Sequence, residues 1–329
     1  MSPENVFTHL PRVLPMTRRE FLAATGSTAL WSAVGCATTE RRRSPALTII
    51  DGHTHFYDPS RPQGVPWPGC HETFLYRTIL PADYLAEKVP TPVTGTVVVE
   101  ASPWVEDNQW ILDLAMRSEF IVGFCGNLNP AEAAFASHLK RFAANPLYRG
   151  IRVGGDGFAA GMREASFVRN LGRLADLDLQ LDVNIGTADL PVVARLAKDI
   201  PSLRIVVDHL ANTTIDGRKV DETWRRNLEA AAGRPNVFAK ISGLVEGAGR
   251  LARPAPTGTG YYAPWLEVIW SAFGEERLIY GSNWPVSALF APLHEVQRIV
   301  EDFFRPKGEA ILARVFAENA RKAYQWRRR

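Results

Sequence analysis

Leu47-Thr48-Ile49-Ile50-Asp51-Gly52-His53-Thr54-His55-Phe56 is a short β-branched run that ends on two histidines one residue apart. Side chains of a strand alternate between its faces, so His53 and His55 share one side. Two imidazoles held together can grip one metal ion or one substrate. Gly52 removes a side chain where a ligand or another backbone comes close. The run is the first of eight. Counting it, strands are predicted at 47–51, 95–101, 121–127, 149–153, 179–185, 203–208, 236–242 and 277–281. Cores such as Val97-Val98-Val99, Ile205-Val206-Val207 and Leu278-Ile279-Tyr280 are almost continuously apolar, as strands covered on both faces of a parallel sheet are.

Amphipathic patterns fill the gaps: Asp107 to Arg117, Ala131 to Ala144, Arg163 to Asp176, Leu190 to Lys198, Asp221 to Ala232 and Pro264 to Phe273. Pro191 and Pro264 are placed near helix starts, where a missing N–H costs nothing. Eight β–α repeats in about 280 residues fit an α/β fold of one closed (β/α)8 TIM barrel. A doubly wound open sheet is the alternative, but no Gly-x-Gly-x-x-Gly follows the first strand. The barrel is assigned to residues 46–329 with no second domain, and 59–68 and 243–263 read as loops around a site.

Of 329 residues, 46% are hydrophobic and 22% charged, which is ordinary for a soluble globular chain with a large core. A formal net charge of +3 gives no electrostatic case for nucleic acid or for a strongly acidic partner. No apolar stretch suggests a membrane span in the mature protein. Residues 1–45 read as an export signal and linker. Thr17-Arg18-Arg19-Glu20-Phe21-Leu22 matches the twin-arginine motif, and the weakly apolar run Ala23 to Gly35 follows it. That route moves folded proteins and places the mature domain in the periplasm or on a membrane facing outward. Ala33-Val34-Gly35-Cys36 resembles a degenerate lipoprotein box, with Ala33 where leucine is usual. Lipidation of Cys36 would tether the domain to a membrane by acyl chains, and ordinary cleavage nearby is the alternative. Without Cys36, Cys70 and Cys125 are the remaining thiols; a buried free thiol is expected at Cys125, inside an apolar strand.

Side chains at the C-terminal strand ends of such a barrel converge on its active site. Those ends carry His53 and His55, Glu100, Arg152, Asp208 and His209, Lys240 and Ser242, and Asn283. Any one of them has a bland structural reading; three histidines, a glutamate, an arginine and a lysine at successive ends are harder to dismiss together.

The chain resembles the amidohydrolase superfamily, and within it the amidohydrolase-2 branch that includes sugar-lactone hydrolases and 2-pyrone-4,6-dicarboxylate lactonase. The resemblance covers residues 47–325. It rests on Asp51-Gly52-His53-Thr54-His55-Phe56, Gly150-Ile151-Arg152, Val206-Val207-Asp208-His209-Leu210, Lys240-Ile241-Ser242-Gly243-Leu244 and Gly281-Ser282-Asn283-Trp284-Pro285-Val286. It implies hydrolysis of a cyclic ester of a small molecule. His53, His55 and His209 would surround the scissile carbonyl, with or without one divalent ion. Zinc is the first choice, with His53, His55, Glu100 and His209 as candidate ligands. Glu100 has a second reading, orienting a histidine from behind. Arg152 would bind a substrate carboxylate or hydroxyl, or polarise the carbonyl, because a guanidinium suits planar oxygen pairs. Lys240 and Ser242 would donate to the developing oxyanion.

Asn283 departs from the family pattern. The last strand usually carries an aspartate there, which takes the proton from the attacking water. An amide has no basic site near neutral pH. Three readings follow: another base, with His209, Glu100 or Glu246 as candidates; a metal-activated water that needs less help; or a barrel that only binds its ligand. Asn283 itself would still hold the water. A lyase acting on an unsaturated dicarboxylate is the other enzymatic alternative. Trp67, Trp104 and Trp284 follow strand ends closely enough to be assigned to the pocket wall.

The export reading has a direct consequence. Replacing Arg18 and Arg19 together by Lys is expected to leave the precursor in the cytoplasm, read by cell fractionation. Unchanged export would overturn the twin-arginine reading.

Overall fold

Each β-branched run pairs with the next one along the chain. In the computed structural model, which describes residues 47–326 (the side chain of Asp156 excepted), eight parallel strands follow in chain order. They are β1 (Ile49–Thr54), β2 (Val93–Val99), β3 (Ile121–Gly126), β4 (Tyr148–Gly154), β5 (Gln180–Asn184), β6 (Ile205–Val207), β7 (Val237–Ile241) and β8 (Leu278–Tyr280). A doubly wound sheet would reverse its order midway, and this one does not. Helices such as Asp107–Met116, Ala165–Asp176 and Leu190–Asp199 return the chain between strands, giving the (β/α)8 barrel. Among the described residues no helix is long and apolar enough to cross a membrane. The export motif and Cys36 lie outside the described residues. Cys70 is exposed and Cys125 buried in β3, both as free thiols.

Two expectations about helices change. Pro264 does not start its helix; it lies inside Thr259–Phe273. The aromatic run Tyr261 to Trp265 buries Tyr262 and Trp265, and that burial carries the helix through the one backbone bond a proline cannot make. The stretch 243–263 is not all loop, because Leu244–Gly249 forms a short helix whose apolar residues are buried.

Closure of the barrel depends on the seam between β1 and β8. Beyond the regular strands, His55 N–H donates to Trp284 C=O and Asn283 N–H to His53 C=O, each at 2.9 Å. The buried Asp51 carboxylate ties the same edges together. Its Oδ1 accepts from Ser282 N–H at 2.8 Å and His53 N–H at 3.0 Å, and its Oδ2 accepts from the Tyr84 hydroxyl at 2.8 Å. Gly52 is required by contact with another backbone. A Cβ there would stand 2.7 Å from the Tyr280 carbonyl oxygen and from Ile279 Cγ2.

The seam also aims the histidines. Pairing of β1 with β2 runs from Asp51↔Thr96 to Thr54↔Val98, so β1 carries one extra residue in this step. Ile50 packs in the barrel interior. Strict alternation from Ile50 would turn positions 52 and 54 inward; the bulge shifts the parity, and His53 and His55 face the interior instead.

Ile50, Val97, Val99, Cys125, Val206, Phe238 and Ile279 fill the barrel, and Ala320, Ala323, Tyr324 and Trp326 pack against them. The C-terminal segment thus plugs the barrel. Arg149 Nε donates to Tyr324 C=O and Arg204 Nε to Ala323 C=O, both at 2.7 Å.

Gly52→Ala is expected to destabilise by about 2–3 kcal/mol through overpacking against backbone that cannot yield, lowering Tm by roughly 4–12 °C. A Tm within a degree of wild type, by calorimetry, would show that the seam opens to admit a methyl group.

Candidate functional site

A cavity of about 570 Å³ opens at the C-terminal strand ends, lined among others by His55, Trp67, Arg152, His209, Glu246 and Asn283. That size suits a small organic substrate. His53 lies beneath the lining, its ring centroid 5.0 Å from that of His55 and 4.4 Å from that of His209. The three histidines expected from the sequence therefore form one cluster.

Local backbone strain sets the direction of His209. His209, Leu210, Ala211 and Asn212 all take left-handed φ, between 51° and 54°. Each such non-glycine residue costs roughly 1–2 kcal/mol, and fixed partners hold the turn in place. Trp224 Nε1–H donates to Leu210 C=O at 2.8 Å, Asn212 Nδ2–H to Asn184 Oδ1 at 2.7 Å, and Arg250 Nη1–H to Asn212 C=O at 2.6 Å. Gly243 lies alongside: a Cβ on it would meet His209 Cβ at 2.6 Å. Ser242 Oγ sits 2.9 Å from His209 Nδ1 and accepts from His209 N–H at 3.3 Å. This leaves Nε2 of His209 free of that contact.

Below the histidines is a buried charge cluster. Lys240 Nζ lies 2.6 Å from Asp182 Oδ2, 3.0 Å from Asp208 Oδ1 and 3.1 Å from His53 Nδ1, with Lys240, Asp182, Asp208 and His53 all fully buried. The Tyr324 hydroxyl reaches up from the plug to both Asp182 oxygens at 3.0 Å. Burial opposes ionisation of Asp208, but the Lys240 ammonium outweighs it and holds the carboxyl well below the usual carboxylate range. Burial likewise disfavours a charged Lys240, and the two aspartates reverse that and keep it protonated.

All three imidazoles are neutral at physiological pH. Burial and then the Lys240 charge depress His53 far below the ordinary range. Burial and Arg152 push His55 down to about 3. Burial pushes His209 down to about 4, outweighing the opposite pull of Asp208. Neutral imidazoles are what a metal ion or a proton-accepting role requires.

Some residues expected to face the substrate are engaged by other side chains instead. Lys240, expected to donate to the oxyanion, lies outside the cavity lining: strand alternation from Phe238 points it into the barrel interior, where it holds Asp208 and His53. Ser242 holds His209 from behind. The Glu100 carboxylate is taken up by Arg152, with Nε–H donating to Oε1 at 2.8 Å and Nη2–H to Glu100 C=O at 2.9 Å. This fixes the guanidinium plane at the cavity wall. Trp67 lines the cavity as expected, with its ring 5.9 Å from His55. Trp104 is 40% exposed and lies outside the cavity lining. Trp284 is in the core against Phe56 and Tyr84, because its backbone closes the seam and turns the ring outward from the barrel. Asp182 and Tyr324 were not among the sequence candidates; an acidic residue mid-strand, in Leu181-Asp182-Val183, is the available signal for the first.

The donor groups fit one divalent ion. One ligand atom from each of His53, Asp208 and His209 lies within 4.8 Å of the others. His53 Nε2 and Asp208 Oδ2 are buried without a hydrogen-bond partner, while Oδ1 faces Lys240. Two imidazoles and a carboxylate suit zinc or a similar borderline metal. Lys240 shares the same carboxylate, and its positive charge weakens the hold on such an ion.

On the far side of the cavity, His55 Nδ1 lies 2.9 Å from Val99 C=O and its Nε2 lies 3.1 Å from Asn283 Oδ1. Asn283 Nδ2–H donates to Glu246 Oε1 at 2.8 Å.

The family model described as amidohydrolase matches residues 50–326. An L-fucono-1,5-lactonase of Burkholderia ambifaria is 31% identical over 290 residues, spanning 84% of this chain and 95% of that relative. An L-fucono-1,5-lactonase of Burkholderia multivorans is 28% identical, spanning 77% and 87%. A crystal structure of an amidohydrolase from Burkholderia multivorans with bound zinc superposes with a TM-score of 0.73 at 25% identity, covering 85% of this chain and all of that one.

Lys240→Met would leave Asp182 and Asp208 buried without a cation and is expected to cost about 3–5 kcal/mol, read as a lower urea midpoint at pH 7. A loss below about 1 kcal/mol would show that Tyr324 and His53 suffice to hold the two carboxyl groups.

Proposed function

The chain belongs to the amidohydrolase family, and from that premise we propose that it is a hydrolase that opens the lactone of a sugar acid by attack of water. The observation that supports this most directly is the convergence of neutral His55 and His209 with a fixed Arg152 on one cavity with room for a sugar lactone, with neutral His53 just beneath. The curated relatives at 31% and 28% identity are sugar-acid lactonases, which favours the same chemistry here.

In this reading the lactone ring lies against Trp67 with its carbonyl toward the histidines. Arg152, held flat by Glu100, donates to a ring hydroxyl or to the carbonyl oxygen. His209, aimed by the left-handed turn and by Ser242, presents Nε2 to the attacking water, or to the ion when one is bound. Asn283 orients the same water from the seam side. A divalent ion, zinc by preference, would sit on His53, Asp208 and His209 and supply Lewis-acid stabilisation of the oxyanion. Lys240 keeps Asp208 ionised beneath the site. Export by the twin-arginine route, with or without lipid on Cys36, completes the proposal and rests on residues 17–36 alone.

The test is acid release from a panel of aldonolactones, L-fucono-1,5-lactone included, followed with a pH indicator. Turnover is expected with at least one sugar lactone, and His209→Ala is expected to lower kcat by about 100-fold or more. Chelation is expected to slow the reaction and added zinc to restore it. No turnover of any lactone, with or without zinc, would overturn the reading in favour of decarboxylation or simple ligand binding.

A further inference from the structure

We propose that Glu246 is the base of this site, working beside Asn283 in place of the aspartate that the last strand of such barrels usually carries. The inference rests on the lactone-hydrolase reading and adds the group that takes the proton.

The argument begins at His55. Its Nδ1 lies 2.9 Å from the Val99 carbonyl, which can only accept, so Nδ1 carries the hydrogen and Nε2 presents a lone pair. That lone pair faces Asn283 Oδ1 at 3.1 Å, an acceptor against an acceptor. On the other side, Asn283 Nδ2–H donates to Glu246 Oε1 at 2.8 Å, which suits an ionised carboxylate. Turning the amide over reverses both relations. The NH2 group then donates to His55 Nε2, and the amide oxygen accepts from Glu246 when that carboxyl holds a proton. The two ends of an amide have nearly the same shape, so the turn needs little space. Asn283 therefore has a satisfied contact with Glu246 in both protonation states, and its orientation follows the proton.

Glu246 meets the other requirements of a base. The residue lines the cavity, and its Oε2 is buried with no partner. Burial pushes its carboxyl up to about 7, against the opposite pull of the Asn283 hydrogen bond and of Arg250. Tyr262, on the helix Thr259–Phe273, also feels its charge, and the titratable groups that line the same cavity are His55, Glu100, Arg152, His209, Arg250 and Arg253. A carboxyl balanced near neutrality can both take a proton and return it. The competing candidates are engaged elsewhere. Glu100 is ion-paired to Arg152, and His209 faces Ser242 through Nδ1 and belongs to the group that would hold an ion.

The step balances. As the water oxygen bonds to the lactone carbonyl carbon, its O–H proton passes to Glu246 Oε2 and the carbonyl electron pair moves onto oxygen. Collapse restores the carbonyl and breaks the ring C–O bond. The departing ring oxygen takes the proton from Glu246, leaving the hydroxy acid and a carboxylate ready for the next cycle.

The experiment compares wild type, Glu246→Gln and the double variant Glu246→Gln/Asn283→Asp on a sugar lactone that wild type turns over. Glu246→Gln is expected to lower kcat by about 10²–10⁴-fold, with KM changed by less than about threefold. Asn283→Asp in that background is expected to recover at least about tenfold in kcat and to move the rise of kcat with pH from near 7 to lower pH. That rescue also shows the single variant to be folded. An infrared band of a protonated carboxyl that titrates near neutral pH is expected in wild type and absent from Glu246→Gln. A Glu246→Gln enzyme with undiminished kcat and an unchanged pH profile overturns the assignment while leaving the lactonase intact. Failure of wild type on every lactone strikes the lactone reading itself, and the base assignment with it.

Discussion

The Lys240 ammonium in the centre of the barrel is the interaction on which the rest of the site depends. It holds Asp182 and Asp208 on one side and His53 on the other, and Tyr324 joins from the C-terminal plug. A charge in so dry a place is tolerated only with close partners and satisfied hydrogen bonds. The cation keeps Asp208 ionised, and it adds to the burial that keeps His53 neutral. The C-terminal segment thus contributes to the polarity of a site that it does not touch.

Above that cluster, backbone features do the aiming. The extra residue in β1 turns His53 and His55 inward, and Asp51 locks the bulged strand to β8. Four left-handed residues after β6 carry His209 toward the same point, and Gly243 leaves room for it. Conformations of this kind persist only where their surroundings over-determine them, and they cluster at functional sites. Trp224, Asn184 and Arg250 provide that surrounding for the turn at His209.

The two sides of the cavity divide the chemistry. On the side of His53 and His209 lie the donor atoms that would fit a divalent ion, with the Lys240 cation beneath. On the side of His55 and Asn283, the contacts lead to a single carboxyl at Glu246. Arg152 stands at the wall with its charge already partly met by Glu100, which leaves its free N–H groups directional. The departure from the family pattern at Asn283 therefore falls beside a carboxyl on a neighbouring loop helix.

The sequence by itself determined the eightfold alternation, because strands buried on both faces must be apolar throughout and such runs stand out from amphipathic helices. It also determined which strand ends bring polar side chains together, since polar residues closing apolar strands are conspicuous: His53, His55, Arg152, His209 and Asn283 gather as expected. The roles of Lys240, Ser242, Glu100 and Trp284 were decided only in three dimensions. Residue type and spacing do not say whether a side chain stops at the mouth, one layer below it, or outside the seam. That depends on a one-residue bulge, on which strand neighbours which at a given height, and on how the last helix plugs the barrel. Contacts such as Tyr324 with Asp182, 142 residues apart, leave no local trace in the chain.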